Sequence, residues 1–343
     1  MTATSPTREP AADAADRSLP ALASLVEEIA DLKRVRAAHL PDGDSWATDR
    51  FRQAWRQLLS CRSLDDVEEL AVQEASRATA AARLGAITPQ QLRKAGLKPS
   101  RIQAVFADAI REQADALDEP LLLRLVDAVE GWVEYELAGL SRVTLSLTTD
   151  TRPSEPSFVG DLCRQPRAGA TCPGKARYLL DPPELHSDHC YVVAVAATLA
   201  AAGEGTSPSR PFLFGLAHHL HNATLADGGF AGEVLLGDAI DDVIDALFER
   251  AFDQLLSAPM GWLIDEVRTL RQETAAADTP DARAFHTADV LDRVAEMRHF
   301  ERAATFVART ALEDLDLVHA GPIQKFGQRL LRDAGWWDAP TGD

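Results

Sequence analysis

The chain has 343 residues, is 46% hydrophobic and 6% aromatic, and carries 53 acidic against 35 basic residues, a net charge of -18. This balance argues against a broad nucleic-acid-binding surface and against docking on anionic membranes, because both need basic clusters. No apolar run reaches the roughly 18 residues of a membrane span.

The length allows one large core or two ordinary ones. Ala and Leu dominate and β-branched runs are short, which favours helix over strand. Residues 1–18 are small, polar and Pro-containing, and are expected to form a disordered tail. They show no basic-then-apolar signal design, so a soluble cytoplasmic protein is expected.

A helical region is expected over 19–141. Leu22, Leu25, Ile29 and Leu32 recur at helical spacing after Pro20. Ser45 is placed to cap a helix with Phe51, Trp55, Leu58 and Leu59 on one stripe. Ser63 starts another, carrying Leu64, Val67, Leu70 and Ala71. ITPQQLRKAGLKPSRIQAVF reads as two short helices joined at Gly96–Pro99, an αα-hairpin rather than a DNA reader given the charge. Residues 119–140 read as a strongly apolar helix near the centre of this N-terminal bundle.

Residues 142–183 change character. VTLSLTT alternates like one strand, but Pro and Gly recur at short intervals, so a long connection with at most a hairpin is expected. From 184 to 335 the texture is helical again, over about 184–202, 210–225, 236–258, 259–275, 281–307 and 309–334. Residues 336–343 form a tail. The four cysteines contain no CxxC pair, so they read as free thiols.

Five of the nine histidines lie between positions 186 and 221. Imidazole is costly to bury and is a common ligand for divalent metals, so this crowding points to a metal site. In DHCYVVAVAATLAAA, Val192, Val193, Ala196, Ala197 and Leu199 form one apolar face, with His189 beside it and His186 one turn earlier. In FLFGLAHHLHNA, helical phase puts His218, His221 and Asn222 together and turns His219 elsewhere. In AFHTADVLDRVAEMRHF, Asp289 precedes an expected core face of Val290, Val294 and Met297. Three packed helices would then bring His189, His221 and Asp289 to one point. His286, His299 and His319 stand alone and default to structural roles.

These residues resemble the HD-domain superfamily of helical, metal-dependent proteins. HCYVVAVAATLA from His189 is similar to the first-His helix of deoxynucleotidase-like members, and ADVLD at 288–292 is similar to the final AD-x-L element. The likeness spans about 184–335. It implies an HD-like helical domain there and does not account for the N-terminal half; with the N-terminal helical bundle read from periodicity, the expected fold is all-α. The likeness also implies a divalent metal (Mn, Co, Mg, Zn or Fe) held by His189, His221, Asn222 and Asp289, with His218 and His186 as further candidates. The doublet reads His221-Asn222 in place of His-Asp; an alternative register takes His218-His219, and Asp227 or Glu233 are placed to stand in for the carboxylate.

The resemblance implies phosphohydrolysis of a nucleotide or other small phosphate ester. Glu233 or Asp188 would act as acid/base, and Arg283, Arg293 or Arg298 would hold phosphate. A diiron oxygenase and a non-catalytic regulatory module of the same scaffold are the alternatives. The expected partner is a small phosphorylated molecule rather than nucleic acid or membrane, and a homodimer is allowed.

Overall fold

The computed structural model describes residues 12–41, 43–138, 155–255, 260–305 and 324–333. Among these the fold is all-α, with helices and two isolated antiparallel bridges, Pro166 with Leu185 and Ala170 with Tyr178. The strand considered at VTLSLTT, most of the helix expected over 309–334 and the tail at 336–343 lie outside the described residues. No described helix is long and apolar enough to cross a membrane.

Residues 1–296 form one compact unit and 297–343 a second. The first holds α1 (Ala12–Ala30), α2 (Trp46–Leu58), α3 (Leu64–Leu84), α4 (Pro89–Lys94), α5 (Pro99–Arg111), α6 (Glu119–Leu137) and α7 (Ser157–Leu162). It continues with α8 (His186–Glu204), α9 (Ser209–Ala217), α10 (Gly229–Leu236), α11 (Ala239–Asp253), α12 (Gly261–Glu273) and most of α13 (Pro280–Thr305). The second unit contains the end of α13 and α14 (Gln324–Asp333).

Helix starts follow local chemistry. Ser45 and Ser63 accept hydrogen bonds from the main-chain amides of Thr48 and Asp66, as their positions predict. Thr88 and Gln91 form a reciprocal capping box at α4. The first helix departs from expectation. Residues 12–18, read as tail, are helical, and Pro20 lies inside α1 rather than ahead of it. The apolar periodicity that begins after Pro20 marks where the helix meets the core, not where it starts.

One apolar core runs through the first unit. It extends from Leu25 through Trp55, Trp132 and Val193 to Phe252 and Ala295, so residues on both sides of the 142–183 connection share it. The connection itself contributes α7, whose Phe158 packs edge-on against Trp55 at 4.9 Å.

Helix α8 is the centre of this core. Every residue from His186 to Ala201 is buried. The single apolar face read from sequence is therefore incomplete: a helix apolar all round is one surrounded by others. Helix α9 crosses it closely at Gly215. A Cβ added there would sit 2.4 Å from the Cα of Ala194. Absence of a side chain lets the two histidine-bearing helices touch main chain to main chain.

Candidate functional site

The site gathers on α8, the end of α9 and α13. His189 lies on the first turn of α8 and is fully buried. Its Nδ1 donates to Asp292 Oδ2 at 2.7 Å. A carboxylate accepts only, so the proton is on Nδ1 and a neutral His189 has a bare Nε2. That Nε2 lies 3.1 Å from His218 Nε2 and 3.3 Å from Asp289 Oδ1.

His218 is fixed the same way. Its Nδ1 donates to the Gly215 carbonyl at 2.8 Å, which leaves its Nε2 bare. His219 Nδ1 donates to Asn222 Oδ1 at 2.8 Å, and Asn222 Nδ2 in turn donates to the Leu225 carbonyl, so the amide orientation is set. Ring nitrogens of His189, His218 and His219 fall within 4.8 Å of one another. Three imidazoles thus each have one nitrogen engaged by an outer partner and a ring nitrogen close to those of the other two, with the Asp289 carboxylate beside His189. Such outer partners are what metal-ligating histidines characteristically have.

Electrostatics agree with this arrangement. Burial pushes His218 down to about 3, helped by the charge of His189, and holds His219 well below the ordinary imidazole range. Neutral imidazole is the form that binds a metal. Burial raises Asp289, but the hydrogen bond and charge that His189 supplies when its Nε2 carries a proton, with His218 and Arg293, outweigh it and lower the carboxylate. Bare lone pairs facing one another and an anion repel unless a cation sits among them. A proton on His189 Nε2 or a divalent metal supplies it. His186 lies beside this group: it is buried, its ring lies 4.7 Å from that of His219, and neither nitrogen has a hydrogen-bond partner among the described residues.

A second group of donors, Glu184, His189 and Asp292, lies behind the first. Lys33 already occupies it. Its ammonium pairs with Glu184, with Asp292 at 2.6 Å and with Glu296 at 3.7 Å, and the side chain is 2% exposed. Burial opposes the charge, but the three carboxylates raise the Lys33 pKa above its ordinary value. Arg167 and Arg34 add pairs to Glu184 and Glu296. This cluster supports the His189 imidazole, and the Lys33 ammonium fills the space among its donors.

Several residues singled out from sequence lie elsewhere. His221 does not join His189 and Asp289; it stacks on Phe248 with ring centroids 5.7 Å apart. The reason is a helix break. Helix α9 ends at Ala217, His219 adopts φ -107° and ψ 21°, and a 3-10 turn covers Leu220–Ala223. The α-helical phase drawn through 210–225 fails there, and His219, expected to point away, turns inward instead. Asn222 orients His219 and is not itself at the cluster.

Asp188 is buried on another side of α8. It accepts hydrogen bonds from Ser45 and from Thr48 Oγ1 at 2.7 Å, and burial raises it to about 6. That is a clasp between α2 and α8, on another side of the helix from His218 and His219. Glu233 is exposed on α10 and is not among the residues whose ligand atoms gather at the cluster. Asp227 accepts from the amides of Ala168 and Gly229 and lies 3.7 Å from His186 Nε2, so it ties loops together. Arg283 pairs with Glu204, whereas Arg293 pairs with Asp289 at 3.6 Å and is mostly exposed at the mouth of the cluster.

Sequence reading missed Asp292. On α13 the expected core residues Val290 and Val294 are about half exposed, while Phe285, Ala288, Asp292, Ala295 and Glu296 are buried. Asp292 is three residues after Asp289, a spacing that puts both carboxylates on one helix face, so the signal was present in ADVLD. Lys33 gave no signal, because nothing local links it to position 292. In comparisons with known proteins, no family model, no curated protein and no solved structure matches this chain.

Proposed function

We propose that the protein is a metal-dependent phosphohydrolase acting on a nucleotide or another small phosphate ester. The observation that carries this reading is the convergence of His189, His218 and His219 nitrogens, each with its far nitrogen already bonded, next to Asp289. His189, His218, His219 and Asp289 would hold the cation. Three imidazoles and one carboxylate suit Zn, Mn, Co or Fe better than Mg, which prefers oxygen donors. Such a cation activates water as a nucleophile at neutral pH and offsets charge on a phosphoryl oxygen.

The chain's own groups would do the rest. Asp292 keeps His189 in the tautomer that presents Nε2. The Gly215 carbonyl and Asn222 do the same for His218 and His219. Arg293, at the mouth, offers a guanidinium to phosphate oxygens. Neither Asp188 nor Glu233 takes part in this scheme. Lys33 in the second donor group weighs for one cation, and hence for hydrolysis over a two-iron oxygenase.

The test is phosphate release from a panel of nucleotides and sugar phosphates by protein loaded separately with Zn, Mn, Co or Mg. Release that disappears in His218→Ala and His219→Ala supports the proposal. Folded, metal-loaded protein that releases no phosphate from any member removes it.

A further inference from the structure

Away from the histidine cluster, helices α2 to α6 and His39 enclose a cleft of about 540 Å3. That volume lies within the usual range for small-ligand sites. Its walls are regular. Trp46, Arg50, Gln53 and Gln57 recur at helical spacing along α2 and turn one face inward. Helix α6 contributes Trp132, Tyr135 and Glu136, and α3 contributes Arg77.

Some of these groups are committed to the fold. Glu74 takes the charge of Arg50 and Arg77, with contacts of 2.5 and 3.0 Å. Trp132 packs edge-on against Phe106 at 5.0 Å and carries Arg77 over its face. Others are not. Gln53, Tyr135 and Lys94 line the cleft without any hydrogen-bond or ion-pair partner among the described residues. Arg56 pairs with Glu155 through Nε only. Asp49 lines the same space and is also unpaired.

We infer that this cleft binds a planar heterocyclic anion of the mononucleotide class. Tyr135 offers a half-exposed ring for stacking, among the indoles of Trp46 and Trp132. Gln53 and Asp49 offer an amide and a carboxylate to the donor and acceptor edge of a base. Lys94 and Arg56 offer cations to a phosphate. In a chain of net charge -18, a cleft lined by Arg50, Arg56, Arg77 and Lys94 against Asp49 and Glu136 has an excess of cations, which favours an anion.

The cleft is separate from the histidine cluster. Trp46 meets Tyr191 of α8 edge-on at 5.8 Å, and Tyr191 donates to Glu74 at 3.1 Å. Tyr191 and His189 are two residues apart, about 200° around the helix, so they face opposite sides of α8. A molecule in the cleft is therefore not the molecule at the cluster, and the inference does not depend on the phosphohydrolase reading.

Calorimetric titration of the full chain in EDTA with AMP, GMP, adenosine and inorganic phosphate tests it. Saturable binding of a mononucleotide at one per chain is expected, roughly tenfold or more tighter than adenosine or phosphate alone. Lys94→Glu and Tyr135→Ala should each weaken it roughly tenfold or more, with unchanged circular dichroism, and His218→Ala should leave it unchanged. No saturable binding of either mononucleotide at millimolar concentration overturns the inference. So does binding indifferent to both Lys94→Glu and Tyr135→Ala, or binding lost in His218→Ala.

Discussion

Asp292 joins an imidazole and an ammonium through its two oxygens: Oδ2 accepts from His189 Nδ1 at 2.7 Å, and Oδ1 pairs with the Lys33 ammonium at 2.6 Å. Both side chains it touches are almost wholly buried. The carboxylate therefore orients an imidazole on one side and neutralises a cation on the other.

Replacing it separates these roles. Asp292→Asn keeps the shape but weakens the grip on the His189 tautomer, and metal affinity should fall about 10- to 100-fold, measured by competition with a chromophoric chelator. Both variants take a carboxylate from the Lys33 ammonium, and Asp292→Ala, which also removes the side chain that bridges Lys33 and His189, should cost about 3–5 kcal/mol in urea unfolding. Equal metal affinity in Asp292→Asn and wild type would show that the contact is structural only.

The two registers of the doublet are separable by metal content. His218→Ala and His219→Ala should each lose bound metal in elemental analysis, whereas His221→Ala should retain it. The opposite pattern would restore the His221-Asn222 doublet and contradict the placement of His221 against Phe248.

Gly215 tests the crossing of α8 and α9. In Gly215→Ala the new Cβ would meet the Cα and N of Ala194 at 2.4 and 2.6 Å, atoms that cannot swing aside. The helices must part. A loss of about 1–3 kcal/mol or more is expected in thermal or urea unfolding, and His189 and His218 should bind metal less well. A variant as stable as wild type would mean the helices are not in main-chain contact.

Acid stability should trace to Glu74. Burial favours its neutral form, but the charges of Arg50 and Arg77 and hydrogen bonds from Arg50 and Tyr191 outweigh this and lower its pKa. The folded state thus holds its proton less tightly than the unfolded chain. The stability it contributes is full above the unfolded carboxylate value of about 4.3 and is lost as pH falls through the lower folded value. Glu74→Gln should destabilise the protein by about 3–5 kcal/mol at pH 7 and flatten the loss of stability below about pH 5, read by urea unfolding across pH. An unchanged acid slope would assign that loss to other carboxylates.

The helical character of the chain and the Ser45 and Ser63 caps were legible in sequence, because they rest on local spacing and side-chain chemistry; that His189 and Asp289 are neighbours was expected only from helix packing and the family resemblance. The inward turn of His219 was not, because one irregular residue after Ala217 changes the phase of everything beyond it. Polarity misled on α13. Apolar Val290 and Val294 face out and charged Asp292 and Glu296 face in, since a distant ammonium makes the charged face the buried one. Asp188 shows the reverse error: a carboxylate near the histidines is used up on two hydroxyls of α2.

The Lys33 contact also bears on how the polypeptide can be cut. A fragment starting at position 184 would keep every imidazole of the cluster, yet would leave Glu184, Asp292 and Glu296 crowded together with no ammonium between them. Mutual repulsion would push α13 off the first turn of α8 and carry Asp289 away with it. The opening segment is thus an internal counterion, and excising the histidine-bearing half alone would discard the piece that lets it close.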